Sequence, residues 1–274
     1  MVFFPNAKIN IGLWVTSQRP DGFHDIETLF YPCSLTERLE IELSEQGEGV
    51  EFECSGEPIQ NEISGSNLCC KAYRLLAGDC HLPPVKISLH KQIPVGAGLG
   101  GGSSDAAYTL KGLNRLCRLG LSDAALVQYA VRLGSDCAFF IRSLPAIGTG
   151  KGDALHPVNV SPAGYSLLIV KPSVSISTAE AYSWVTPSPR PYRLKDLLQL
   201  PLPEWRHHIT NDFEKPVFYR YPTIERIKKT LYERGAEYAA LSGSGSVVYG
   251  IFRCLPDRPE RLFPECFVWS AGMG

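Results

Sequence analysis

The residues of this 274-residue chain best suited to chemistry are gathered in one glycine run, Gly96-Ala-Gly98-Leu-Gly100-Gly101-Gly102, closed by Ser103-Ser104-Asp105. Five of the first seven positions are glycine. Each costs about 0.5–1 kcal/mol in backbone entropy relative to alanine, against a net stability of only about 5–15 kcal/mol for a typical domain. A plain turn does not call for such a concentration. Glycine lets backbone N–H groups converge on an anion, and the positive end of a following helix adds to the attraction. Phosphate is the anion that fits.

The surrounding sequence narrows the kind of phosphate site. No Lys-Ser/Thr pair follows the glycines, and no His-Arg-Asp or Asp-Phe-Gly triplet occurs, which excludes the P-loop and protein-kinase arrangements. Gly96, Gly98 and Gly101 match G-x-G-x-x-G literally. The pattern beyond them is two helices in succession, not the parallel strand of a dinucleotide-binding unit. A hydroxyl at Ser103 or Ser104 has two uses open to it, capping the helix or binding Mg²⁺.

Further polar candidates stand outside the loop. Lys8 and Asn10 share one face of a strand whose other face carries Ile9, Ile11, Leu13 and Val15. Asp136 precedes Cys137-Ala-Phe-Phe and suits the cap of a short helix. Phe23 and His24 follow a Pro20-Asp-Gly22 turn; an aromatic face beside a polar ring can stack on a base and read its edge. Leu241-Ser-Gly-Ser-Gly245 reads equally as a tight turn or a ligand contact.

The elements that must position these groups follow from periodicity. Alternation predicts strands over 7–15, 39–43 and 50–54, the last two joined as a hairpin through 46–49. Asn67 caps a helix running to about Leu76 and stopped by Gly78, and a strand covers 85–89. A helix opening around Ser104 carries Ala106, Leu110, Leu113 and Cys117, and a second runs from Ser122 to Gly134. Residues 165–170 form an apolar strand, and Ser177-Thr-Ala-Glu180 reads as a capping box. Residues 186–203, rich in proline, form an irregular surface excursion. A helix from Pro222 buries Ile224, Ile227 and Leu231 and stops at Gly235, before a strand over 247–252. Strands and helices mix without strict alternation, which predicts an α+β fold. Two layered domains meet near 154–162, giving 1–156 and 157–274.

Composition sets the outer limits. With 27 Lys+Arg against 28 Asp+Glu the formal charge is -1, so no long-range field favours a polyanion, and nucleic acid is not an expected partner. The nine cysteines include no CxxC pair and read as reduced thiols that pack as small hydrophobes. The first residues lack a charged segment followed by an apolar one, so they do not read as a signal peptide. Apolar runs such as 167–170 fall far short of the roughly 18 residues of a membrane span. A cytoplasmic monomer or homodimer is expected.

The segment Pro94-x-Gly-x-Gly98-Leu-Gly-Gly-Gly-Ser-Ser104 resembles the ATP loop of the GHMP small-molecule kinases. Ala7-Lys8-Ile-Asn10, Arg19-Pro-Asp-Gly-Phe23-His24, Gly134-Ser-Asp136, Asn211-Asp-Phe-Glu214 and Leu241-Ser-Gly-Ser-Gly245 extend the resemblance over nearly the whole chain. The Asp-Gly-Phe23-His24 segment is similar to the branch acting on diphosphocytidyl-methylerythritol. The resemblance implies an N-terminal domain like ribosomal protein S5 domain 2 and a ferredoxin-like C-terminal domain. It also implies phosphoryl transfer from ATP, with Mg²⁺, to the 2-hydroxyl of a small cytidine diphosphate-linked methylerythritol. One departure is Cys137-Ala138 where the family usually has Val-Pro, which puts the local backbone in question.

By the same resemblance Lys8 and Asp136 are catalytic: Lys8 contacts the acceptor hydroxyl or the transferring phosphoryl group, and Asp136 orients the hydroxyl and accepts its proton late. Pro94, Gly96, Gly98, Leu99, Gly100, Gly101, Gly102, Ser103 and Ser104 hold ATP, with Asn67 and Leu68 on its adenine side and Ser104 on Mg²⁺. Asn10, Phe23, His24, Thr178 and Tyr182 bind the acceptor substrate, Thr178 and Tyr182 by alignment with Pro172-x-x-x-Ile176-x-Thr178. Two competing readings remain: another GHMP kinase, for homoserine, mevalonate or a sugar, and a catalytically silent ATP-binding regulator.

Overall fold

The computed structural model describes residues 1–45, 48–58 and 67–273. Its strands are β1 (Val2–Phe3), β2 (Asn6–Gln18), β3 (His24–Thr36), β4 (Arg38–Leu43), β5 (Val50–Gly56), β6 (Val85–Lys91), β7 (Ala146–Thr149), β8 (Ala154–Pro157), β9 (Tyr165–Lys171), β10 (Tyr238–Leu241), β11 (Val248–Phe252) and β12 (Phe267–Met273). Its helices are α1 (Leu68–Ala77), α2 (Gly101–Leu116), α3 (Asp123–Leu133), α4 (Cys137–Arg142), α5 (Thr178–Tyr182), α6 (Leu194–Leu197), α7 (Trp205–His208), α8 (Glu214–Arg220), α9 (Pro222–Glu233) and α10 (Pro259–Leu262). None of the described helices is long and apolar enough to cross a membrane.

The chain divides into two compact units, one of residues 1–8, 34–95 and 100–144, the other of 9–33, 96–99 and 145–274. These units interleave along the sequence, whereas the expected sequence-order division has a single boundary at 156/157.

The first unit is a sheet in the order β1-β4-β6-β5 with helices α1 to α4. Val85, Ile87 and Leu89 alternate on the buried face of β6, and Ile87 lies between Ile41 of β4 and Phe52 of β5. Helix α2 packs on β4 and on α1, α3 and α4, burying Ala106, Ala107, Leu110 and Leu113. The hairpin expected between β4 and β5 is not formed. Strand β6 separates them, antiparallel to β4 and parallel to β5, because alternation fixes a strand's face and not its partner. Of the proposed turn, Gln46 and Gly47 lie outside the described residues.

The second unit contains the antiparallel sheet β10-β11-β9-β12 and, except for residues 6–8 of β2 and 34–36 of β3, the sheet β2-β3-β7-β8. Numbered by their order along the chain, β9 to β12 run 2-3-1-4 across their sheet, the split βαβ order of a ferredoxin-like domain. Helix α9 buries Ile224, Ile227 and Leu231 in a core with Leu168, Val170, Leu241, Val248 and Phe252. The proline-rich excursion is anchored, with Ser188 N–H donating to Val15 O at 2.9 Å and Leu194 N–H to Glu27 Oε1 at 2.7 Å. Arg190 pairs with Asp212, and Leu194 and Leu198 are buried.

Side-chain caps open two of the described helices, α1 and α3. Asn67 Oδ1 accepts from Cys69 N–H at 2.8 Å, and Ser122 Oγ from Ala125 N–H at 3.3 Å. The capping box at Ser177 is absent, since that side chain makes no cap bond and the Thr178 hydroxyl pairs with Ser244 Oγ at 3.3 Å. Ile87→Ala, which empties the centre of the first unit's sheet, is expected to lower stability by about 2–5 kcal/mol, read as a reduced denaturant midpoint with unchanged slope.

Candidate active site

The glycine run joins β6 to α2. Gly96, Gly98 and Gly100 have φ of 62°, 81° and 74°, conformations that side chains disfavour. At Gly98 a Cβ would stand 2.0 Å from the backbone oxygen of Ser242, so only hydrogen fits there. Helix α2 starts at Gly101, three residues earlier than the sequence predicts, with Gly100 as its cap and no side-chain capping bond. Its first internal bond runs from Ser104 N–H to Gly100 O at 2.9 Å. The amides of Gly101, Gly102 and Ser103 therefore have no intrahelical acceptor. They stand at the positive end of the helix, an arrangement suited to an anion.

Lys8 reaches the same place from β2. A Cβ on Gly100 would lie 3.1 Å from Lys8 Cε and 2.8 Å from Phe140 Cζ, so the lysine stem runs directly against the loop. Its ammonium pairs with Asp136 Oδ2 at 3.2 Å, the lysine side chain 4% exposed and the aspartate 33%. Asp136 occupies the N-cap position of α4 without a side-chain capping bond. The pairing with Lys8 thus prevails over the local cap. Cys137 and Ala138 are the first two residues of α4, where a helix tolerates proline. Alanine in place of the family's proline is accordingly compatible with the same backbone.

The two serines differ in their surroundings. Ser103 bonds the Cys137 thiol, and the buried Ser104 Oγ has no hydrogen-bond partner among the described residues. Neither caps α2. A buried hydroxyl left unsatisfied costs about 1–3 kcal/mol, a cost that a bound ligand removes. No group of three or more His, Cys, Asp or Glu able to hold a metal occurs among the described residues. Mg²⁺ needs only one or two protein oxygens when phosphates and water complete its shell, and the buried Ser104 oxygen fits that requirement. Near the start of α2, a Cβ on Gly102 would lie 3.7 Å from Leu68 Cδ1, which puts the beginning of α1 beside the loop. Asn67 is the residue that caps α1.

In the second unit Asn10 is fixed on three sides. Its N–H donates to Ser242 Oγ at 3.3 Å, its carbonyl accepts from Tyr249 OH at 2.8 Å, and its Nδ2 donates to Thr28 Oγ1 at 3.0 Å. Thr28 gives its own proton to Gly12 O at 2.5 Å, so its oxygen can only accept from Asn10, and the amide orientation is set. Ser242 Oγ in turn donates to Gly98 O at 2.8 Å, and Val247 N–H donates to Ala97 O at 3.2 Å. The Leu241-Ser-Gly-Ser-Gly245 turn therefore holds both Asn10 and the first part of the glycine run. His24 stacks on Tyr182 with ring centroids 4.9 Å apart and planes 19° from parallel, and Phe213 meets Tyr182 edge-on at 4.9 Å. Phe23 is 55% exposed and lies under Lys151 Nζ at 4.8 Å.

Comparisons with known proteins bear on this arrangement. The family model for the GHMP kinases N terminal domain matches residues 67–143, and that for the GHMP kinases C terminal matches 194–261. A protein of Parabacteroides distasonis called 4-diphosphocytidyl-2-C-methyl-D-erythritol kinase is 48% identical over 271 residues, 98% of each chain. One of the same name from Bacteroides fragilis is 50% identical over 253 residues, 92% of each chain.

This chain belongs to the GHMP kinase family.

The crystal structure of a 4-(cytidine 5'-diphospho)-2C-methyl-D-erythritol kinase aligns with this kinase over 100% of the present chain and 99% of the other, with a TM-score of 0.81 and 30% identity. A mevalonate kinase structure aligns at a TM-score of 0.73 and 14% identity, which supports the fold alone. The α+β fold with GHMP N- and C-terminal domains is thereby established. As a GHMP kinase the protein takes its phosphoryl group from ATP and passes it to a hydroxyl.

The structure also adds residues that sequence reasoning overlooked. Thr28 and Tyr249 hold Asn10 in the kinase together with Ser242 of the segment singled out above, and Phe213, within the 211–214 segment, supports Tyr182. Lys91, Glu37 and Asp105 form a buried ion cluster behind the glycine loop. Burial pushes the Asp105 carboxyl up to about 7, Lys91 drawing it back and Glu37 adding to the rise. No local pattern announces these contacts, because each partner lies far away in sequence.

Burial also pushes the Cys137 thiol up to about 12, outweighing its bond from Ser103. At pH 8 it is protonated and, since only the thiolate attacks, inert. Iodoacetamide at that pH is expected to label the exposed Cys54 and Cys254 in the native kinase and to leave Cys137 unmodified, as read by peptide mass spectrometry.

Proposed function

We propose that this kinase transfers the γ-phosphoryl group of ATP to the 2-hydroxyl of 4-diphosphocytidyl-2-C-methyl-D-erythritol, a step of non-mevalonate isoprenoid precursor synthesis. The observation that carries the catalytic reading is the Lys8–Asp136 pair at 3.2 Å, with the lysine stem packed against Gly100 at the start of α2. The substrate assignment is supported by the two relatives of that name at 48% and 50% identity. The presence of both members of the pair argues against a silent ATP-binding regulator. The likeness to a mevalonate kinase, at 14% identity, gives no support to that substrate.

In this mechanism the polyphosphate lies on the amides of Gly101, Gly102 and Ser103, within the loop from Pro94 to Ser104 that includes Gly96, Gly98, Leu99 and Gly100. Asn67 and Leu68 line the adenine side. Phosphoryl transfer passes through a loose transition state that asks chiefly for positioning and neutralisation of charge. Lys8 supplies a positive charge to the transferring group and the acceptor oxygen. Asp136 orients the hydroxyl and takes its proton late, when the oxygen has become acidic enough to release it to a weak base. Asn10, held by Thr28, aligns the acceptor alcohol.

Ser104 would hold Mg²⁺, which supplies positive charge to the phosphate oxygens when bound. His24, Phe23 and Tyr182 receive the cytosine, with Thr178 beside them. In sequence order, residues 1–156 form the ATP-loop domain and 157–274 the substrate-side domain. A cytoplasmic setting, as monomer or homodimer and without a nucleic-acid partner, accords with this substrate and with the near-neutral charge.

Three experiments test the assignment. Asp136→Asn is expected to lower kcat by about 10²- to 10⁴-fold with ATP affinity retained in calorimetry, and near-normal turnover would remove Asp136 from the mechanism. Phe23→Ala is expected to weaken CDP while sparing an ATP analogue, whereas equal losses for both ligands would refute the cytosine site. Chelation of divalent cations is expected to abolish ADP release, with recovery on adding Mg²⁺.

A further inference from the structure

Lys91, Glu37 and Asp105 take no direct part in the chemistry above, yet they form a buried charged cluster at a chosen place. Lys91 is the last residue of β6, where the chain leaves the sheet to enter the glycine loop, and its side chain is 3% exposed. Its ammonium bonds Glu37 and, at 2.8 Å, Asp105 Oδ2. Asp105 belongs to the first turns of α2, where the glycine loop ends. One side chain therefore ties the entrance of the loop to its exit.

Glu37 completes the tie through backbone groups. Its Oε2 accepts from Gln92 N–H at 2.7 Å and from Ile93 N–H at 3.5 Å, the two residues that follow Lys91 into the loop. A Cβ on Gly101 would lie 3.2 Å from Glu37 Oε1 and 3.1 Å from Ile93 Cγ2, so the carboxylate lies directly behind the first residue of α2. The cluster thus packs against Gly101 while Lys8 approaches Gly100.

We propose that Lys91 is a positioning residue for the nucleotide, holding the two ends of the glycine loop at the separation that presents the α2 amides to the polyphosphate, with Glu37 and Asp105 as its anchors. Its effect falls on ATP and not on the cytidine-bearing substrate, whose candidate contacts His24, Tyr182 and Phe23 belong to the other unit. A purely structural ion cluster would alter stability without separating the two ligands. The inference rests on the reading that the glycine loop binds ATP.

Calorimetric titration of the full chain with a non-hydrolysable ATP analogue, and separately with CDP, tests it. Asp105→Ala leaves the Lys91–Glu37 pair in place and is expected to keep the fold, as read by circular dichroism. It is expected to weaken the analogue by about fivefold or more, with CDP affinity held within about twofold, as loss of alignment predicts. Asp105→Asn, which keeps an acceptor for Lys91, is expected to restore the analogue to within about twofold of the parent protein. Lys91→Met removes both arms and is expected to weaken the analogue by about tenfold or more. Unchanged analogue affinity in Asp105→Ala, equal losses for both ligands, or an asparagine variant no better than alanine would each overturn the positioning role. Failure of the parent protein to bind the analogue at all would instead overturn the ATP reading itself.

Discussion

The site depends on a helix left open at its beginning. Because residue 100 is glycine, α2 starts without a side-chain cap, and three amides at its positive end have no partner within the helix. A serine or aspartate there would satisfy one of them and compete with any bound anion. The same glycine gives Lys8 the room to pass, since a methyl group at that position would crowd Lys8 Cε and Phe140. One missing side chain therefore leaves the amides open and makes room for the cation beside them.

Charge is arranged around that opening in a way that separates roles. Lys8 is nearly buried and paired with a partly exposed Asp136, so one member is fixed and the other can meet a ligand from solvent. Behind the loop, Lys91 lies between two buried carboxylates and has no such access. The first pair is suited to reacting atoms and the second to holding backbone, although both are lysine–carboxylate contacts. Burial and neighbours, more than residue type, divide the work.

Much of the fold was legible because its cues are local. Asn67 and Ser122 cap the helices their side-chain chemistry predicts, and Ile224, Ile227 and Leu231 face the core at helical spacing. The glycine run points to a backbone free of side chains leading into α2, where Gly96, Gly98 and Gly100 take positive φ. Where local cues misled, a distant partner had intervened. Asp136 looks like a helix cap until Lys8 is brought beside it. The partner of β5 was hidden for the same reason, since β6 reaches it only through the tertiary fold. Thr28 offered no signal, because a threonine in a strand is ordinary until its hydroxyl is seen between Asn10 and Gly12.

The contact at Gly98 has an evolutionary corollary. The atoms that exclude a side chain there are all main-chain: the carbonyl oxygen and carbon of Ser242 at 2.0 and 2.9 Å and the Gly245 oxygen at 3.4 Å. No exchange of a neighbouring side chain can make room, because every amino acid at position 242 or 245 carries the same carbonyl. Drift at this position is thus closed to the compensating pairs by which packed side chains usually exchange volume. Only a concerted displacement of two loops would reopen it.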